Sequence, residues 1–231
     1  MLVIVQSRFS ASYGFAMHVG LMERLGPEAV KWRKRMHRRR FGRRDVIFHQ
    51  GEIGDTVHLI DKGRVLIEVS MARGDVAVLS VRWPGDVIGE LAVVGAGRRT
   101  ARVTALEPTE TLAISQKLLA EFRAENPAVD RYFVEVLADK LVQSTEQTVD
   151  ILFGSVETRV MRVLLRLVGA FDRGKFPIVL GVRQTDIAAM AGASRQSVNQ
   201  SLKLAESSGV IRLGRGHTEI LDLARLQNLA R

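Results

Sequence analysis

Hydrophobic and polar positions change rhythm twice along the 231 residues. Between residues 38 and 115, apolar residues come in short β-branched runs (DVIFHQGEIGD, TVHLIDKGRVLIEVS, DVAVLSVRWPGDVIGE, TARVTALEPTETLAIS), punctuated by Gly51, Gly54, Gly63, Gly74, Gly85 and Gly89. Strands of that length between closely spaced glycine and aspartate turns predict an antiparallel barrel or roll. Ahead of it, residues 19–36 read as a short helix broken near Gly26-Pro27. From Gln116 the period becomes helical. A short helix over 116–124 stops at Asn126-Pro127, and Pro127 suits the first turn of the next. That next helix runs to about Phe153 without glycine or proline, long for a globular domain. Along it Val134, Leu137, Leu141, Ser144, Thr148 and Ile151 fall at alternating spacings of three and four, a heptad seam. Such a seam calls for a partner, most simply a second copy of the chain. Phe133 and Val136 lie off the seam and suit packing on the helix's own roll.

Residues 155–172 give another amphipathic helix through Val156, Val160, Val163, Leu164 and Leu167, then a turn and a short strand, PIVLGV. A small unit closes the chain: helix 184–191, a turn at Gly192, helix 194–207, a turn at Ser208-Gly209, and two strands, VIRLG and HTEIL. The expected fold class is α+β. Residues 1–18 read as a disordered extension, 19–115 as the roll with its leading helix, 116–153 as the short and long helices, and 154–231 as a separate C-terminal domain.

Composition narrows the function. With 46% hydrophobic and 26% charged residues the chain is not intrinsically disordered. No run approaches the ~18–20 apolar residues of a membrane helix. The opening Met-Leu-Val-Ile-Val is too short for a signal-peptide core, and its charges follow it. There is no cysteine, which excludes disulfides, iron–sulfur clusters, zinc–thiolate sites and thiol nucleophiles. Both features point to the cytoplasm. The five histidines show no metal-ligand spacing, no nucleophile elbow is present, and no catalytic constellation emerges, so neither an enzyme nor a metal site is expected. The net charge of +9 favours a polyanionic partner, nucleic acid or an acidic membrane face. Nine Lys and Arg crowd residues 31–44, which read as a solvated helix end and first strand. Residues 155–231 carry twelve basic against six acidic side chains.

Within that basic C-terminal stretch, QTDIAAMAGASRQSVNQSLKLAESSGVIRL has the layout of a helix-turn-helix. Gln184 and Thr185 head the first helix, and Ala191-Gly192 makes the tight turn. Ser194 caps the second helix through its hydroxyl. Val198, Leu202 and Ala205 hold that helix on the core, and its opposite face carries Arg195, Gln196, Asn199, Gln200 and Lys203. Arginine can read guanine O6 and N7, and Asn and Gln can read adenine, through paired hydrogen bonds. The strands that follow look like a wing whose Arg212 and Arg215 suit phosphates.

The segment PGDVIGELAVVGAGRRTARVTALEP is the other informative stretch. A helical turn from Glu90 to Val94 would present backbone N–H groups to an anion. Arg99 supplies a positive fork and Thr100 a hydroxyl for a phosphate, while Glu90 suits a ribose hydroxyl.

GELAVV…RRTARVTAL resembles the phosphate-binding cassette of cyclic-nucleotide-binding domains, and QGEIGD and KGRV resemble turns of the same roll. Roll, long helix and winged helix-turn-helix, in this order, resemble the CRP/FNR family of bacterial transcription regulators over about residues 20–225. The resemblance implies a homodimer that takes cAMP, with cGMP as the alternative, as allosteric effector and binds a pseudo-palindromic duplex, with RNA polymerase as a further partner and no membrane; the alternatives are a regulator of the same fold with a different effector or none, and a regulatory cyclic-nucleotide-binding subunit of an enzyme. It implies that Gly89, Glu90, Leu91, Arg99 and Thr100 meet the sugar-phosphate, and that Lys140, Ser144 and Thr145 meet the base. The sequence departs from cAMP-receptor members of the family at Lys140, where they carry arginine, and at Gln196 and Gln200, where they carry glutamate and arginine. The DNA sequence read should therefore differ. Lack of cysteine argues against the iron–sulfur and thiolate-haem branches.

Overall fold

Two short helices, α1 (Leu21–Arg24) and α2 (Glu28–Arg33), open the described part of the chain, residues 20–231 of a computed structural model. The extension read at residues 1–18 lies outside the described residues. The break between α1 and α2 falls at Gly26-Pro27, as the sequence predicts. Eight strands follow: β1 (His37–Phe41), β2 (Val46–Phe48), β3 (Thr56–Lys62), β4 (Val65–Ser70), β5 (Val76–Arg82), β6 (Val87–Ile88), β7 (Arg102–Ala105) and β8 (Thr109–Ser115). They form two four-stranded sheets, ordered β1-β8-β3-β6 and β2-β7-β4-β5. Every pairing is antiparallel, so the predicted roll is the observed one. Between β6 and β7 the chain makes a wide, π-type helical turn over Ala92–Ala96.

The basic run sits where a solvated helix end and first strand were expected, and acids distant in sequence cover much of it. Arg33 pairs with Asp61 at 2.7 Å, Lys31 and Arg35 with Glu125 at 3.3 Å, and Arg38 with Glu110. At the surface such pairs contribute little individually, roughly 0–1 kcal/mol.

Ser115 caps α3 (Gln116–Glu125), its Oγ accepting from the Leu118 amide at 3.2 Å. The long helix α4 spans Ala128–Phe153, 26 residues. Its first turns bury Val129, Tyr132, Phe133 and Val136 in the core of the roll, among Leu112, Ile114 and Phe122. Trp32 of α2 stacks on Phe122 of α3 with ring centroids 4.0 Å apart, so the leading helices are fastened to the same core. Burying aromatics of this size is the dominant local stabilisation. The Tyr132 hydroxyl reaches the Gly85 carbonyl at 3.3 Å, which keeps its polar tip satisfied. The seam side is bare: Val134, Leu141 and Ile151 are exposed, together with Leu152 and Phe153.

Two compact units divide the chain within α4, one ending at Lys140 and the other running from Leu141 to Arg231. The second unit contains α5 (Val156–Phe171), β9 (Ile178–Leu180), α6 (Gln184–Ala191), α7 (Arg195–Ser207), β10 (Ile211–Gly214), β11 (His217–Ile220) and α8 (Leu223–Leu229). The three strands make one antiparallel sheet ordered β10-β11-β9. Its core is Val160, Met161, Val163, Leu164 and Leu167 of α5 with residues of α6, α7 and the sheet. Helix α8 is an element the periodicity did not predict. It is seven residues long and buries Leu226, and its start is marked by Asp222, which accepts from the Arg225 amide at 2.9 Å.

Candidate functional site

The glycine-rich segment closes over Arg99. This side chain is 5% exposed, although it carries a charge. Its Nη1 donates to the Gly89 carbonyl at 2.9 Å, its Nη2 reaches Thr56 Oγ1 at 3.4 Å, and its guanidinium lies over the Phe48 ring at 4.2 Å. Burial lowers its pKa, while Asp55, Glu52 and Glu90 oppose that shift. A guanidinium has five N–H donors, so those not engaged here remain for an anion. Gly89 is fixed by two constraints: its φ is 80°, and a Cβ at this position would overlap Arg99 Nη1.

The QGEIGD turn pins the cassette through three main-chain hydrogen bonds, two of which make the Ile53–Arg98 bridge. Gly51 N donates to Arg99 O and Arg99 N to Glu52 O, both at 2.8 Å. Gly54 N donates to Gly97 O at 3.0 Å. The resemblance of this turn to a family signature thus corresponds to a mechanical role: it clamps the segment that carries Arg99. Thr100 and Leu91 are exposed beside it.

Glu90 is 2% exposed, and its Oε1 lies 2.6 Å from Lys140 Nζ. Burial pulls the Lys140 ammonium below its usual pKa, Arg82 and Asp86 acting in opposite senses and Glu90 holding the charge in place. The sequence reading gave Glu90 to a ribose and Lys140 to a base. The structure joins the two to each other.

Two further side chains stand behind the cassette, one under Arg99 and one beside it on the same ring. Phe48 is the platform of Arg99, and the ring of His58 is 6.0 Å from that of Phe48. His58 Nδ1 is 3.1 Å from Thr111 Oγ1. Its pKa is lowered from 6.5 to about 4, chiefly by burial and then by Arg99 and Arg39, with Asp55 opposing. His58 lies in a run of four consecutive buried residues on β3, Val57 to Ile60, so no alternation marks it.

Ser144 and Thr145 are exposed on α4. Thr145 Oγ1 donates to Leu141 O at 2.9 Å, and Thr148 Oγ1 to Ser144 O at 2.8 Å. This back-bonding to the preceding turn is the ordinary use of a hydroxyl inside a helix.

The second site is the face of α7. Gly192 ends α6 in the left-handed region, at φ 57° and ψ 43°, and turns the chain sharply. Ser194 Oγ accepts from the Ser197 amide at 3.1 Å, as the cap predicts. Val198, Leu202 and Ala205 are buried, whereas Arg195, Gln196, Asn199, Gln200 and Lys203 are all exposed on the opposite face. Gln184 and Thr185 are half-buried at the head of α6, beside a bidentate Arg183–Asp186 pair at 2.8 and 2.9 Å. On the wing, Arg212 pairs across the strands with Glu219 at 3.0 Å, and Arg215 stands exposed at the tip. Among the described residues, no group of three or more His, Cys, Asp or Glu is placed to hold a metal ion, and no helix is long and apolar enough to cross a membrane.

Comparison with known proteins finds a family match for each of the two parts of the chain. Residues 38–126 match the cyclic nucleotide-binding domain family, and residues 158–229 match the Crp-like helix-turn-helix domain family. The chain is 29% identical over 216 residues to the CRP-like cAMP-activated global transcriptional regulator of Mycobacterium tuberculosis, covering 92% of this chain and 96% of that one. It is 29% identical over 211 residues to the cyclic AMP receptor protein of Thermus thermophilus, covering 91% and 96%. Among solved structures, FixK2 from Bradyrhizobium japonicum shares the fold with a TM-score of 0.74 at 17% identity, over 85% of this chain and 98% of that one.

Proposed function

Since this chain belongs to the CRP/FNR family of DNA-binding transcription regulators built on a cyclic-nucleotide-binding domain, we propose that it is a homodimer whose affinity for a pseudo-palindromic duplex is set by cAMP bound in the roll. The observation that carries this reading is Arg99, a buried cation clamped beside Gly89 and Glu90 with donors left for an anion. A cyclic phosphate is an anion of the right size for one guanidinium fork, and the exposed Thr100 hydroxyl adds a donor. The residues present fit the nucleotide. Glu90 Oε1 is taken by Lys140, which leaves Oε2 to accept from a ribose hydroxyl. Lys140 is then the residue that orients the ribose acceptor. That two relatives of nearly full coverage are named for cAMP supports the same effector, and cGMP is the comparison ligand.

The exposed seam of α4 supports the dimer. Val134 is 66%, Leu141 69% and Ile151 55% exposed in the single chain. Aligned apolar residues of this kind stabilise a helix pair once covered. Two-fold symmetry then presents two α7 faces to half-sites about one helical turn apart, roughly 34–36 Å. The nucleotide base would meet Ser144 and Thr145 on this seam, one of them from the partner subunit, and so favour one pairing of the helices. RNA polymerase is the further partner, and the setting is cytoplasmic.

Isothermal titration with cAMP and cGMP tests the pocket, with Arg99→Ala beside the wild type. A charge-assisted contact of this kind is worth roughly 1.5–3 kcal/mol, so Arg99→Ala should bind cAMP on the order of tenfold to a hundredfold more weakly. Unchanged affinity in Arg99→Ala removes the pocket assignment. Failure of the wild type to bind either nucleotide removes the effector.

A further inference from the structure

One guanidinium in the C-terminal unit collects four carbonyls from two separate segments. Arg159, in the first turns of α5, donates from Nε to Ala191 O at 2.9 Å and from Nη2 to Gly192 O at 3.4 Å. Its Nη1 donates to Gly154 O at 3.2 Å and reaches Ile151 O at 3.4 Å. The first two carbonyls are the end of α6 and the turn of the helix-turn-helix. The last two are the end of α4 and the short link to α5.

The chemistry explains the convergence. A helix leaves its final carbonyls without intrahelical partners, and they carry the negative end of the helix dipole. Two such ends, those of α4 and α6, face one cation. Both ends are otherwise tight. Gly154 N already bonds Asp150 O at 2.9 Å, and a Cβ on Gly154 would lie 2.6 Å from that carbonyl. Gly192 is so placed that a Cβ would meet Ile151 Cδ1 and Cγ1 at 3.8 Å. The seam residue Ile151 therefore rests beside the turn glycine while Arg159 ties the carbonyls of both. Three residues on, Arg162 pairs with Asp150 of α4 and donates to Ala230 O at 2.8 Å. The same face of α5 thus holds the end of the long helix a second time.

We propose that Arg159 is a positioning residue for DNA readout: it fixes the turn before α7 to the last turn of α4 and the link after it, so that the recognition face is held in one orientation on its own domain. This rests on the functional reading above only for the role of α7 as the base-reading element. Neither lysine nor glutamine can replace it fully. Lysine is a point charge that cannot span carbonyls in a fixed fork, and glutamine lacks the charge.

The test uses full-length protein and a duplex selected by the wild type from a random pool, in the presence of cAMP if the wild type responds to it and without it otherwise. The readout is the ratio of affinities for the selected and a random duplex. Arg159→Gln should lower that ratio about tenfold, Arg159→Lys less, with random-duplex affinity unchanged because phosphate contacts are untouched. Val163→Ala, a core truncation in the same unit, should lower the melting temperature and leave the ratio alone. Hydrogen exchange of residues 188–198 supplies a readout without DNA, and Arg159→Gln should accelerate it while exchange in the roll stays constant. A ratio and turn exchange in Arg159→Gln equal to wild type overturn the proposal, as does a matching fall of the ratio in Val163→Ala. A wild type without duplex preference overturns the functional reading, and the exchange experiment then decides whether Arg159 holds the turn.

Discussion

Lys140 Nζ sits 2.6 Å from Glu90 Oε1, joining the long helix to the start of the cassette by a charge pair whose acid end is almost wholly buried. Removing one partner of such a pair strands the other. Lys140→Met should therefore destabilise the roll by about 3 kcal/mol, the lower part of the usual range, because Lys140 keeps a quarter of its side chain in solvent. Glu90→Gln combined with Lys140→Met should recover most of that loss, since no charge is left buried. Urea unfolding of the two singles and the double measures the cycle. A double mutant no more stable than Lys140→Met would contradict the pairing.

His58 makes stability depend on pH. Its folded pKa of about 4 lies below the unfolded value of 6.5, so above pH 6.5 both states are neutral and the fold has its full stability. As pH falls from 6.5 the unfolded chain takes up a proton that the folded chain refuses until about pH 4. The fold loses up to about 3 kcal/mol across that window. His58→Gln should flatten the curve between pH 6.5 and 4 in urea titrations. An equally steep fall in the variant would assign the loss to other groups.

The face of α7 predicts two kinds of damage. Arg195→Ala should cost about 1–3 kcal/mol at one base position per half-site and relax specificity there. Lys203→Ala should weaken all duplexes alike and reduce the salt dependence of binding. Competition with singly substituted duplexes at several salt concentrations separates them. Loss at every base position in Arg195→Ala would make it a phosphate contact.

Coupling runs both ways in any linked pair of sites. If Ser144 and Thr145 meet the nucleotide base, Ser144→Ala with Thr145→Ala should keep much of the phosphate-driven binding yet lose most of the mutual enhancement of cAMP and DNA, typically 1–3 kcal/mol. Nucleotide affinity with and without the duplex reports it. Full enhancement in the double mutant would leave the Thr145 hydroxyl in its bond to Leu141 O and both hydroxyls with no part in signalling.

What could be read beforehand was what repeats or is local. The roll came from alternation and turn glycines, α4 from a heptad without breakers, and α7 from a capping serine with apolar residues on one side and amides on the other. The cassette was legible because Gly89, Glu90, Arg99 and Thr100 are close in sequence. What was missed depends on distant residues meeting. The partner of Lys140 lies fifty residues away, Phe48 meets Arg99 and His58 only where the two sheets of the roll face each other, and Glu219 reaches Arg212 through strand register. Helix α8 escaped because seven residues around Leu226 are too few to show a period.

The last turns of α4 belong to the C-terminal unit: Asp150 pairs with Arg162 of α5, and Ile151 stands beside Gly192. Spacing along this stretch is therefore as consequential as residue identity. One residue inserted between Asp150 and Ile151 would turn the helix between them by about 100° further and advance it about 1.5 Å, so that the two side chains could no longer meet Arg162 and Gly192 together. Substitutions along the exposed side leave this phase untouched, whereas a single added or lost codon resets it.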